Sequence, residues 1–213
     1  MDITFLITAF TTLFVIIDPI GLTPVFVALT QGHTRAARRA IAVRACLLAM
    51  VLLTAFALFG EALLGFVGIS MPAFRIAGGI LLFLTALDML FERRARRRED
   101  SVDEVPDPSV FPLAIPLIAG PGAIASMILL TDGAIARSGT GDTGAMVLAF
   151  GAVILVMCLV VSAALVMFLS AAIFERLLGK TGINVVTRLL GMLLAALSVQ
   201  FVADGIRELS LIG

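Results

Sequence analysis

Long uninterrupted apolar runs, parted by short polar stretches, organise this chain. Six recur, at about residues 3–29, 40–66, 70–91, 110–131, 145–170 and 184–207. Each can cross the hydrocarbon core of a bilayer as a helix, which takes about 20 residues. None alternates apolar with polar positions as a membrane-spanning β-strand would. The pattern predicts an all-α polytopic membrane protein with six transmembrane helices. Composition removes a soluble reading: 61% of residues are hydrophobic, 14% are charged, and the mean hydropathy is +1.15.

Two of the runs are interrupted in corresponding places. In the first, Asp18-Pro19-Ile20-Gly21-Leu22-Thr23-Pro24 follows a clean apolar stretch; in the fourth, Pro116 to Gly122 contains Gly120-Pro121-Gly122. Proline donates no N–H and clashes with the preceding turn, so both segments should be discontinuous, at 18–24 and 116–122. A second echo lies downstream, where Arg75-Ile76-Ala77-Gly78 recurs as Arg188-Leu189-Leu190-Gly191. The chain therefore divides into two three-helix repeats, residues 1–91 and 110–213, joined by a polar linker at 92–109. Aligning Leu29-Thr30 with Leu130-Thr131 sets Pro19-Ile20-Gly21 against Gly120-Pro121-Gly122, and Ala119 against Asp18.

Charge orients the repeats. Arg35, Arg38, Arg39 and Arg44 follow the first run, Arg93, Arg94, Arg96, Arg97 and Arg98 the third, and Arg176, Lys180 and Arg188 come after the fifth. Only Arg75, Arg137 and Arg207 of the 15 basic residues remain for the other side. The positive-inside rule assigns the rich loops to the cytoplasm, which puts both termini outside. An odd number of spans per repeat then makes the repeats inverted. The first run lacks the basic start and small-residue cleavage site of a signal peptide, and reads as a retained span.

Paired broken helices in corresponding places point to a transporter site at the bilayer midplane. Half-helix N-termini suit a carboxylate, and unwound carbonyls suit an ammonium or a cation. The candidate site is the backbone of Pro19, Ile20 and Gly21 facing that of Gly120, Pro121 and Gly122, with Asp18, Thr23 and Ser126 adding side chains. Asp18 has two readings: a functional acid facing the bundle interior, or an N-cap for the helix after the break. Arg75 and Arg188 read as snorkelling to the interface or capping carbonyls of the broken helices. Glu61, Asp88 and Asp204 read as interfacial, Cys46 and Cys158 as small apolar packers, and His33 as solvated. The chain holds no Trp or Tyr, so the usual aromatic belt is missing.

The run from Phe14 to Phe26 resembles the DPxGxxPxF signature of the MarC family of bacterial inner-membrane proteins. So do Pro112 to Ile124, and the closing stretch from Arg188-Leu189-Leu190-Gly191 to Asp204-Gly205. Relatives commonly carry Asn after the motif glycine; this chain has Leu22. The family is similar to small-solute exporters of the LysE superfamily, and some members are neutral amino-acid transporters. Its name from a multiple-antibiotic-resistance operon does not establish a drug substrate. The resemblance implies a secondary transporter in the bacterial inner membrane, with a small solute such as a neutral amino acid as ligand. It would use proton or sodium coupling and no cofactor or nucleic-acid partner. A passive channel built from the same halves is the alternative. An enzyme reading finds no HExxH, GxSxG or paired-acid motif.

Overall fold

The computed structural model describes residues 3–91, 107–138 and 143–212. Its helices are α1 (Ile3–Ile17), α2 (Pro19–Leu29), α3 (Arg35–Val67), α4 (Met71–Leu90), the irregular α5 (Ser109–Ile118), α6 (Pro121–Ser138), α7 (Thr143–Leu169) and α8 (Ala171–Ile212). Five stretches are long and apolar enough to span a membrane: Ile3–Leu29, Arg35–Val67, Met71–Leu90, Thr143–Leu169 and Thr181–Ser210. The α5–α6 pair, bent by 54°, supplies a sixth if counted as one span. The protein is thus an all-α polytopic membrane protein. The linker at 92–106, with its Arg run, lies outside the described residues.

Packing is inside-out compared with a soluble bundle. On α3, Ala42, Ala45, Ala49, Leu53, Ala57 and Gly60 face inward, while Leu47, Val51, Leu58, Phe59, Leu63 and Phe66 face outward. Lipid is as apolar as leucine, so helices gain by close approach over small residues rather than by hiding large ones. The tightest seam joins α4 to α8. A Cβ on Gly79 would sit 2.7 Å from Val202 and 2.9 Å from the Ser198 carbonyl, and one on Gly205 2.7 Å from Ile76. Gly191 presses on Ala86, Met89 and Leu90. Rising numbers on one helix meet falling numbers on the other, so the two run antiparallel.

The helix starts follow from their caps. Thr34 and Ser70 accept from the amides of Ala37 and Ala73 at the heads of α3 and α4. Beyond the linker, Asp107 accepts from the amide and hydroxyl of Ser109 at 3.0 and 2.6 Å and from Arg44 at 2.9 Å, fastening α5 to α3. Ser109's hydrogen bonds, then Arg44's charge, hold the Asp107 carboxyl below its ordinary value of 3.8. The fastening is therefore complete above that value and is lost only as pH falls through the lowered one.

The α4–α8 seam yields a stability test. Gly79→Ala forces a methyl onto the α8 backbone and should cost about 1–3 kcal/mol. Gly151→Ala, at a helical position with nothing within 4 Å, should be neutral or stabilise by up to about 1 kcal/mol. Thermal melting of the two purified variants in detergent, each against the parent chain, measures both.

Candidate functional site

The first interruption is one residue wide. Asp18 takes the left-handed conformation, with φ 50 and ψ 64, the one non-glycine residue at positive φ among those described. Its amide still donates to Phe14 and its carbonyl accepts from Leu22, both at 2.9 Å. The carboxylate accepts from the Gly21 amide at 3.0 Å, so the capping role is realised. Pro19 opens α2 where no N–H is needed. The expected break across 18–24 is narrower than that, because α2 runs on through Gly21 and Pro24. Pro24 removes a single ladder bond inside an otherwise packed helix, and Thr23 satisfies the Pro19 carbonyl at 2.9 Å.

Asp18 and Thr23 are 2% and 1% exposed. Pro19 is also buried, while Ile20 and Gly21 are half-buried. Gly21 is required here: a Cβ would collide with the Asp18 carboxylate and come within 3.0 Å of Thr187 Oγ1. The Thr187 hydroxyl on α8 is buried without a hydrogen-bond partner. Thr187 therefore joins this site, although the sequence reading passed over it. The available signal was its place beside Arg188, at the head of the duplicated motif.

The second interruption is built differently and starts earlier than 116. Within α5, Phe111 and Ile115 are extended, and cis peptide bonds precede Pro112 and Pro116. Wide-turn hydrogen bonds link the Leu113 amide to Pro108 and the Ala119 amide to Ala114. Helix α6 then begins at Pro121, with the Gly120 carbonyl accepting from Ile124 at 3.0 Å. Gly120, one residue after Ala119, carries the first acceptor before a helix-opening proline, as Asp18 does at the first interruption. A Cβ at Gly120 would lie 2.5 Å from the Pro116 carbonyl, which excludes any side chain there.

A cavity of about 550 Å³ lies along this second interruption. Gly120, Pro121 and Gly122 line it together with Thr85 and Asp88 of α4 and Ile16 of α1. Asp88, expected at the interface, lies two residues before the end of α4 and lines this cavity. Gly122 is buried, with Leu82, Ile16 and Thr85 at 3.0, 3.5 and 3.8 Å from a Cβ placed on it. Asp18 does not line this cavity; Ile16, two residues before it, is the nearest link between the two interruptions.

Ser126 is fully buried on α6, and its hydroxyl has no partner. The same is true of Thr12 on α1. Arg137 stacks over Phe5, while Gly122 meets Ile16, so α1 and α6 run antiparallel. That register sets Thr12 level with Ser126.

Arg75 departs from both of its expected roles. Its guanidinium pairs with Asp132 of α6 at 3.2 Å and with Glu208 of α8, cross-linking three helices. A second cavity, of about 360 Å³, holds Glu61, Thr131 and Asp132 beside it. Sequence spacing offered no signal for pairs 57 and 133 residues apart. Glu61, Asp204 and His33 need no revision of that depth: Asp204 bonds Gln200 at 2.8 Å, and His33 is exposed.

No solved structure matches the chain. Among sequences, it is 39% identical over 211 residues to a UPF0056 membrane protein of Archaeoglobus fulgidus, covering 97% of this chain and 94% of that one. It is 37% identical to the UPF0056 membrane protein YvbG of Bacillus subtilis, covering 97% and 96% of the two chains. It is 34% identical to the UPF0056 inner membrane protein YhgN of Escherichia coli, covering 95% and 96%. Residues 3–210 match the MarC family of integral membrane proteins, and the chain belongs to that family.

Proposed function

We propose that this protein is a secondary transporter of small polar solutes, neutral amino acids foremost, working by alternating access in the inner membrane. The carrying observation is the cavity of about 550 Å³ beside an interrupted membrane segment. Its size falls in the usual range for small-molecule sites, and its wall combines backbone at Gly120–Gly122 with one carboxylate, Asp88. A zwitterion needs both kinds of group: a carboxylate for its ammonium, and N–H groups at the head of α6 for its carboxylate. Asp18, Pro19, Ile20, Gly21 and Thr23 at the first interruption and Ser126 on α6, none of which lines this cavity, form the rest of the site on this reading. Proton or sodium coupling supplies the energy.

Inverted halves, 1–91 and 110–213, supply the machinery. Gly79 meets Ser198 and Val202; a shift of 112 residues (191 − 79) turns this set into Gly191 meeting Ala86 and Leu90, which is the other half of the seam. Thr30 donates to Phe26 and Thr131 to Met127, both at 2.7 Å, in matching positions of the two repeats. Such pairwise exchange is what a pseudo-two-fold axis in the membrane plane produces. The Arg44–Asp107 pair groups the basic loop after the first span with the linker on one face, taken as cytoplasmic.

Two measurements test this. A reporter fused at the C-terminus should be active outside the cytoplasm and one inserted at Arg96 inside it; the reverse result ends the inverted-repeat assignment.

Uptake into proteoliposomes, over an amino-acid panel with and without proton or sodium gradients, tests transport itself. Counterflow with accumulation against a gradient supports a carrier, and passive equilibration alone supports a channel. Asp88→Asn should raise the half-saturating concentration about tenfold without loss of folded protein. Gly122→Val, which adds bulk beside Leu82 in the cavity wall, should abolish uptake while insertion persists. Asp18→Asn keeps the cap and tolerates positive φ, so loss of uptake in that folded variant assigns a role to the charge. Normal uptake in all three variants would move the binding site elsewhere.

A further inference from the structure

A third cavity, of about 560 Å³, lies where α3 begins, well away from both interruptions. Arg35, Arg38 and Arg39 line one side of it; Phe26 of α2, Phe168 of α7 and Ile173 of α8 line the other. Phe26 and Phe168 stack with their centroids 4.8 Å apart, and the Arg38 guanidinium sits 5.7 Å from the Phe26 ring.

The electrostatics are unbalanced. Three cations crowd the first turns of a 33-residue helix whose N-terminus already carries partial positive charge, and its first turn holds no acid. Among the described residues, the ion pairs join Asp107 to Arg44, Asp132 and Glu208 to Arg75, and Asp204 to Arg207, and none involves Arg35, Arg38 or Arg39. An anion seated in the cavity would relieve both the mutual repulsion and the dipole.

The apolar wall says which anion. A free phosphate gains nothing from Leu169 of α7 and Ile173, 49% and 69% exposed on that wall, whereas an acyl chain does. Arg35 opens a helix that crosses the membrane, so the cavity lies at headgroup depth, where basic pockets between spanning helices recruit anionic lipids. We propose that this cavity is a specific site for an anionic phospholipid, its phosphodiester held by Arg35, Arg38 and Arg39 and its acyl chain laid along Leu169 and Ile173. Phe26 belongs to α2, the helix that restarts after Asp18. A bound lipid therefore clamps α2 against α3 and α7.

Native mass spectrometry of the full chain, in nanodiscs of phosphatidylcholine doped with phosphatidylglycerol, tests this. One phosphatidylglycerol should remain through delipidation. Combined Arg35→Gln, Arg38→Gln and Arg39→Gln should weaken it roughly a hundredfold, at about one tenfold step or less per arginine. Combined Arg93→Gln, Arg94→Gln and Arg96→Gln should leave it unchanged. Equal retention of phosphatidylcholine, unchanged affinity in the first triple variant, or displacement by millimolar inorganic phosphate would each overturn the proposal. Should that variant fail to fold, Ile173→Trp supplies the sole tryptophan in the chain. Its fluorescence should be quenched more strongly by phosphatidylglycerol with brominated acyl chains than by the matching phosphatidylcholine, and equal quenching would likewise refute the site.

Discussion

Every peptide group inside a bilayer must find a partner within the protein, since each unmet one costs several kcal/mol in hydrocarbon. The two interruptions answer that demand in different ways. At the first, Pro19 has no N–H, so the Val15 carbonyl loses its helical donor. The chain recovers within one residue, because Asp18 turns left-handed and its carboxylate takes the Gly21 amide. At the second, the ladder loosens over ten residues into wide turns, and regular hydrogen bonding resumes only at Gly120 and Pro121. A narrow break keeps α1 and α2 within one span. The broad one bends α5 from α6 by 54° and leaves room for a cavity.

Both interruptions lean on one pair of helices. Gly21 faces Thr187 of α8, and Gly122 faces Leu82 and Thr85 of α4. Each break is thus walled by the closing helix of the other half, and those two helices are locked together through Gly79, Gly191 and Gly205. Arg75 extends the lock by tying α4 to α8 and α6 at once. The glycine seam leaves no slack for α4 and α8 to slide past each other without methyl-scale clashes. Under the proposed alternating access, the broken spans would therefore move against a fixed α4–α8 wall.

Local chemistry was legible in the sequence; tertiary partnership was not. The apolar runs gave the spanning helices to within a few residues, because nothing but length and hydropathy sets them. Proline and glycine marked where the backbone leaves helical geometry, although Pro24 did not stop α2 and the irregularity of α5 began at Phe111. Proline only removes options; whether a helix ends depends on neighbours that the local sequence does not name. Asp88, Thr187 and the Arg75 ion pairs became visible only in three dimensions, because their partners lie in the other half of the chain.

Capping sets the minimum that position 18 must supply. A cap needs one acceptor oxygen, and at α3 and α4 the neutral Thr34 and Ser70 provide it. The left-handed φ of 50 narrows the choice to residues that tolerate it, chiefly Gly, Asn and Asp. Asparagine would meet both demands without a charge. A carboxylate 2% exposed in a membrane bundle is more expensive, by about 2.5–3.5 kcal/mol at a helix centre on insertion scales. Beside it stands the Thr187 hydroxyl, buried without a hydrogen-bond partner. The second half fills the same position with Gly120, where the Pro116 carbonyl leaves no space for any side chain. The narrow interruption thus carries its carboxylate in the break itself, whereas at the broad one Asp88 reaches the cavity from α4.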